Sequence, residues 1–292
     1  MAGASSLDRS VGEGPLSSLR ASRSVTAPSL VLGLAVLLAW VAIAVFATWV
    51  APHDPLASVG GARQPPSPDH WFGTDRLGRD VLSRVVFGAR VSLLLGFISV
   101  AIGSLFGTAL GLISGYYRGT VDATLMRLVD AMLAFPGILL ALVVIAALGP
   151  SITNAMIAVG VSTIPRYARL VRSTVLTVRE QPYIEAARAI GIPDFKILLR
   201  HVLPNAAVPL LVLSTLEFGS AISVGAGLSF LGLGAQPPTP EWGLMAAVGR
   251  EVLGRAWWIS TFPGLAIFTV VMATNLLGDS LQKILDPRLR SK

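Results

Sequence analysis

Few side chains in this 292-residue sequence are placed to do chemistry. His53 and Asp54, with Asp69 and His70, are near enough in sequence to meet in one loop and ligate a cation. Their spacing follows no helical or strand period, so it does not specify a site, and no metal is expected. Glu217 lies in the middle of a long apolar run, where a charge costs about 2.5 to 3.5 kcal/mol on insertion scales. It must face a polar interior or a partner; lining a solute pathway and pairing structurally both meet that demand. No G-x-x-x-x-G-K-[ST] loop occurs, so the chain does not bind ATP by that device. Cysteine is absent and no apolar run contains His, which leaves an intramembrane hydrolase without nucleophile, base or metal pair. No catalytic residue is expected.

The elements that carry these residues are set by composition. Hydrophobic residues make up 53% and charged residues 13%, with a mean hydropathy of +0.70. Soluble domains carry about 25% charge, so most of this surface must face lipid. A bilayer core of about 30 Å needs roughly 20 apolar residues per helix. Stretches that qualify are Ser29 to Ala51, Val91 to Tyr117, and Ala131 to Pro165 cut in two by Gly149, Pro150 and Ser151. Asn205 to Phe230 and Ala256 to Leu277 complete them. The sequence therefore predicts an all-α membrane protein with six transmembrane helices. With the N-terminus inside, the inner segments hold 16 of the 23 Lys and Arg, which places both termini in the cytoplasm. The expected organisation is a disordered cytoplasmic tail over 1–28, a first helix over 29–51 and an outer segment over 52–90. A five-helix core follows over 91–284, with a cytoplasmic tail at 285–292. The run after Arg23 is too long for a cleaved signal, so the first span stays attached.

Three features stand out between the spans. Gly103, Gly107, Gly111 and Gly115 recur every four residues and offer a face for close helix packing. Arg127 and Asp130 have pairing separation on a helix, and Pro136 should kink the third span. The inner loop 179–205 reads as helix, turn, helix: Pro182 opens, Gly191 ends the first helix, Pro193 and Asp194 restart, and Pro204 stops the chain. Its near-neutral charge excludes nucleic acid as a partner and favours docking of a cytoplasmic protein. On the outer side, Asp75 with Arg79 and Asp80 with Arg84 have i, i+4 spacing and suggest an ion-pair ladder on a short helix. With the Pro-rich loop around Pro237, they would build an outer platform, serving either as scaffold or as a docking surface.

Glu185, Ala186, Ala187, Gly191, Leu203 and Pro204 match the spacing of the EAA loop in permease subunits of bacterial ABC importers. His201 stands where that family often has Ile, as in its peptide and nickel branch. Trp71 to Asp75, Gly78 to Asp80, Ser83, Arg84, Gly88 and Arg90 resemble the outer segment of the C-type permease of dipeptide, oligopeptide and nickel importers. Ser229 to Gly234, Gln236 to Pro238 and Pro240 to Gly243 resemble its large outer loop, and Asp279 with Asp286 to Arg290 its C-terminal end.

The resemblance implies an ABC importer permease fold with cytoplasmic coupling helices, in which Tyr183, Glu185, Ala186, Ala187, Gly191, Leu203 and Pro204 contact the ATPase. It implies a homologous second permease, one or two ABC ATPases that carry ATP and Mg, and an extracytoplasmic solute-binding protein. This chain would need no cofactor of its own. Di- or oligopeptides are the expected cargo. Glu217 is the candidate pathway residue, and Asp75, Arg79, Asp80, Arg84, Glu241 and Trp242 form the candidate outer docking surface. A self-sufficient secondary carrier is the alternative, and Glu217 is the single residue that answers to it.

Overall fold

A computed structural model describes residues 15–285, with side chains from Pro28 onward. The regular structure of the described chain is helical, apart from two isolated bridges in the outer segment, Ser58 with Arg79 and Thr74 with Asp80, and residues 51–80 and 231–241 are turns and loops. Helix α1 covers Pro15–Val45 and opens with proline, whose missing N–H costs nothing in the first turn. It therefore begins inside the segment expected as a tail, while residues 1–14 lie outside the described part. The chain breaks at Phe46, and the short α2, Ala47–Val50, ends the first span.

Helix α3, Val81–Tyr117, starts ten residues before the span expected from Val91. Asp80 explains the start, because its carboxylate accepts from the Ser83 backbone N–H and caps the helix. At 1.5 Å per residue, these 37 residues reach roughly 55 Å. The first turns therefore stand outside the bilayer and join the outer segment.

The third span is bent. Helices α4 (Gly119–Leu133) and α5 (Gly137–Leu148) meet at 95° across Ala134–Pro136, where Pro136 cannot continue the ladder. Gly149, at φ 87°, and Ser151, whose side chain caps α6, make the tight turn expected between the third and fourth spans. Helix α6 then runs over Ile152–Val178 and does not end at Pro165, so Arg166, Arg169 and Arg172 ride on the helix rather than in a loop.

The inner loop holds α7 (Pro182–Ala189) and α8 (Asp194–Ile197), followed by a π-helical turn over Leu198–Val202 and α9 over Leu203–Phe230. Pro204 does not stop the chain. The wide turn before it sends the Leu203 N–H back to the Leu198 carbonyl, which accommodates a proline ring without breaking the helix. Helix α10, Trp242–Arg250, packs on α3, α9 and α11, and α11, Trp258–Leu285, completes the bundle. The tail from 286, with Asp286 to Arg290, lies outside the described residues.

By length and apolarity the described chain has four spanning helices, or five with the bent pair as one. Helix α6 is long enough to be a sixth, but its three arginines set it apart. The glycine stripe is spent inside the chain: Gly103 faces Thr163, Gly107 faces Tyr167 and the Ile164 carbonyl, and Gly111 faces Ala168 and Val171. A Cβ at Gly107 would sit 2.7 Å from that carbonyl, so α3 and α6 pack at backbone distance.

Candidate functional site

The inner loop is anchored from beneath and bare on top. Ile184, Ala187, Ile197, Leu198 and Val202 bury themselves against Val171, Val175 and Val178 of α6 and Tyr116 of α3. Gly191 takes φ 80°, and the Ile192 N–H bonds back to the Ala187 carbonyl, closing α7 as the spacing predicts. Tyr116 locks the loop to the end of α3. Its hydroxyl donates to Asp194 at 2.5 Å, and the Arg188 guanidinium lies 5.0 Å over its ring. Arg179 donates to the Tyr116 carbonyl; burial, followed by the nearby Arg118 and Arg188, holds its pKa below the ordinary value. Glu185, Ala186, Gly191 and Pro204 are exposed, Tyr183 is half-exposed and Ala187 faces inward. Around them Ile190 and Phe195 are 77% and 69% exposed. An apolar surface on a rigid base is what a partner protein covers. Tyr116 and Asp194 escape sequence reasoning because 78 residues separate them.

Helix α6 carries the second set of charges. Arg172 clasps Asp122 of α4 with both ends of its fork, Nε and Nη2 each at 2.6 Å. The Ser114 hydroxyl also meets Asp122. Arg169 pairs with Asp130 at 2.7 Å, so Asp130 does not take the Arg127 partner that its spacing offered. Glu217 on α9 is 4% exposed and accepts from Arg166 Nη1 at 2.8 and 3.1 Å. The carboxylate is thus paired across the bundle, while the arginine is half-exposed and opens onto a groove with Leu170, Val212, Leu216 and Gln282. This partner is hidden from sequence reasoning because the expected span ends at Pro165, whereas α6 runs on through it.

The outer segment departs most from expectation. The Asp75 to Arg79 pair forms at 2.7 Å, but Asp80 and Arg84 do not pair through their side chains. Asp80 is consumed by the cap of α3 and accepts from His70 Nδ1 at 3.1 Å. Arg84 turns instead to Asp75 at 3.6 Å and to the Pro55 carbonyl at 2.9 Å. Asp75, Asp80 and Arg84 are buried, and so are Glu241 and Trp242. The Trp242 indole donates to the Val85 carbonyl, and Glu241 caps α10 through the Gly243 and Leu244 N–H groups. Burial pushes the Glu241 carboxyl above the ordinary carboxylate range despite those donors. These residues, apart from the partly exposed Arg79, hold a cap together from within; its outer surface shows Trp71, Leu77 and Trp257 instead. His53 and His70 do meet, with ring centroids 5.2 Å apart, but around Asp80 rather than Asp54 or Asp69.

Residues 107–291 match the family described as binding-protein-dependent transport system inner membrane component. The chain is 45% identical over 262 residues to the dipeptide transport system permease protein DppC of Alkalihalophilus pseudofirmus, covering 89% of this chain and 86% of that one. It is 48% identical over 252 residues to the glutathione transport system permease protein GsiD of Escherichia coli, covering 86% and 83%. Among solved structures, it superposes on the MetNI methionine ABC transporter in inward-facing conformations. There the TM-score is 0.55 at 20% identity, over 70% of this chain and 97% of that one, a likeness of fold. A helical bundle with a bare, anchored inner loop and close relatives among importer permeases leads to one assignment: the chain belongs to the family of inner membrane permease components of binding-protein-dependent ABC transport systems.

Proposed function

We propose that this chain is one of two homologous permeases in an importer of di- or oligopeptides, with one or two ATPases below and a solute-binding protein above. The observation that carries the reading is the inner loop, an apolar surface of Ile190 and Phe195 beside Glu185, fixed to α3 and α6 by Tyr116, Asp194 and Ile184. The dipeptide and glutathione systems named for its relatives handle short peptides, which supports that cargo class. Both termini and the loop lie in the cytoplasm, α6 counts as a sixth span, and ATP and Mg stay on the partner ATPases.

Closure of the ATPases would push α7 and α8 as one body, because Ile184, Ala187, Ile197 and Leu198 share one core with Val171, Val175 and Val178 of α6. The π turn at Leu198–Val202 passes the push into α9. Helix α9 carries Glu217 against Arg166, so the pair sits where α6 and α9 must slide if access alternates. The solute pathway runs beside it, with Arg166 presenting charge to the groove that meets the second permease. Glu185→Arg tests the loop. Purified in mild detergent, the wild-type chain is expected to bring down a second permease and ATPases with peptide-stimulated ATP hydrolysis, and the variant to lose the ATPases. Retention of the ATPases by the variant, or a wild-type chain with no such partners, overturns the reading.

A further inference from the structure

Two of the three histidines in the chain converge on one buried carboxylate at the outer end of the molecule. His53 follows the first span, His70 lies in the outer segment and Asp80 caps α3. One donor atom from each lies within 4.8 Å of the other two. His70 Nδ1 is 3.1 Å from Asp80 Oδ1 and His53 Nδ1 is 3.9 Å from Asp80 Oδ2. Asp80 and His70 are buried. His53 Nδ1 is itself buried and has no hydrogen-bond partner, an unmet group pointed at the cluster.

We propose that His53, His70 and Asp80 form a site for a divalent first-row cation, zinc in the first instance. Imidazole nitrogen and carboxylate oxygen suit zinc, and three protein ligands plus water complete a tetrahedron. Ligand distances of 2.0 to 2.2 Å put neighbouring donors about 3.4 Å apart. His70 Nδ1 is already 3.1 Å from Asp80 Oδ1, and one donor from each residue lies within 4.8 Å of the other two, so an inward turn of the partly exposed His53 ring closes the site. No hydrogen bond at Nδ1 opposes that turn, and the His53 backbone is held by its N–H, which donates to Ser83 Oγ at 3.1 Å. Asp80 is already aimed: Oδ2 accepts from the Ser83 N–H and hydroxyl, leaving Oδ1 toward His70. Binding displaces the proton between His70 and Asp80 and gives His53 Nδ1 a partner. A polar basin lined by Gly60, Gln64, Asp69 and both histidines opens the site to the outer solvent and supplies the fourth ligand, water. The ion would staple the start and the middle of the outer segment to the start of α3.

The test uses the full chain, purified with a tag that contains no histidine, stripped with chelator and titrated with zinc chloride. His201 is the only other histidine, so background binding is small. The wild type is expected to take up one zinc ion per chain, with a rise of several degrees in thermal unfolding. His53→Gln is expected to lose at least about tenfold in zinc affinity and the thermal shift, while its metal-free unfolding stays at the wild-type value. Cobalt(II) on the wild-type chain is expected to give visible absorption that zinc abolishes, a readout that needs no variant. Absence of stoichiometric zinc in the wild type, or unchanged zinc affinity in His53→Gln, overturns the site. So does a cluster that takes up only a proton, seen as a His53-dependent gain in stability on acidification without metal uptake.

Discussion

The two ends of this chain put similar residue types to opposite uses. At the outer end, Asp75, Asp80, Arg84, Glu241 and Trp242 are drawn inside, each with its polar atoms met by neighbours of the same chain. At the inner end, Ile190, Phe195 and Tyr183 stand exposed while the anchoring residues lie below. Burying charge is costly unless every partner is in place, so the outer cap must be rigid to exist at all. Leaving apolar groups exposed is costly unless something covers them, and on the proposed reading the ATPase covers the inner loop. On that reading the first end keeps a shape and the second transmits a movement.

The contrast breaks first at Trp242. The indole is fully buried, lies edge-on to Trp40 at 5.0 Å and donates to Val85. Trp242→Ala is expected to cost about 3 to 5 kcal/mol, lowering the yield of folded protein and its thermal unfolding in detergent. Survival of the wild-type transition would mean that the cap is not held from within. Asp75→Ala comes next. It removes the carboxylate that faces both Arg79 and Arg84 and leaves Arg84 buried with carbonyl partners alone. The expected loss is about 3 kcal/mol, read in the same assay, and Asp75→Asn should recover part of it through the Leu77 and Arg79 N–H groups.

How legible these ends were differs in the same way. The inner loop could be read locally, because Pro182, Gly191, Pro193 and Asp194 lie within one short stretch. The capping turn at Ser151 and the break at Pro136 were equally local. The outer end misled because i, i+4 spacing assumes a helix, and Asp80 is the residue before one. Its carboxylate went to the helix cap and to His70, and Arg84 went to Asp75 and Pro55, contacts fixed by how the loop folds back. Glu217 was recognisable as a charge that needed a partner. Which partner it takes depended on α6 continuing through Pro165, and Pro204 failed as a stop because a π turn absorbs its ring. Residue type and local period carried over into structure; long-range pairing did not.

A smaller effect sharpens the comparison through pH. Burial holds the Glu241 carboxyl above its ordinary value. A raised folded-state pKa means that the folded chain keeps a proton that the unfolded chain gives up. Its contribution to stability is complete below the ordinary carboxylate value of about 4.3 and is lost as pH rises from there toward the raised value. Above the raised value the loss is constant. Glu241→Gln removes this dependence. The difference in thermal unfolding between wild type and variant is therefore expected to move against the wild type as pH rises from 4 to 7, and a constant difference would show that Glu241 is not desolvated.

The smallest effect on stability is expected at the inner end. Ile190 and Phe195 touch little of their own chain, so Ile190→Ser and Phe195→Ser should each leave thermal unfolding of the isolated chain within about 0.5 kcal/mol of wild type. The same changes remove apolar surface that only a partner can bury, so ATPase subunits should be retained less well and peptide-stimulated hydrolysis should fall. The outer and inner ends then separate cleanly: Trp242→Ala lowers folding and hydrolysis together, whereas Phe195→Ser lowers hydrolysis alone. If Phe195→Ser destabilises the isolated chain as Trp242→Ala does, the inner residues are core rather than contact surface, and the two ends are built alike.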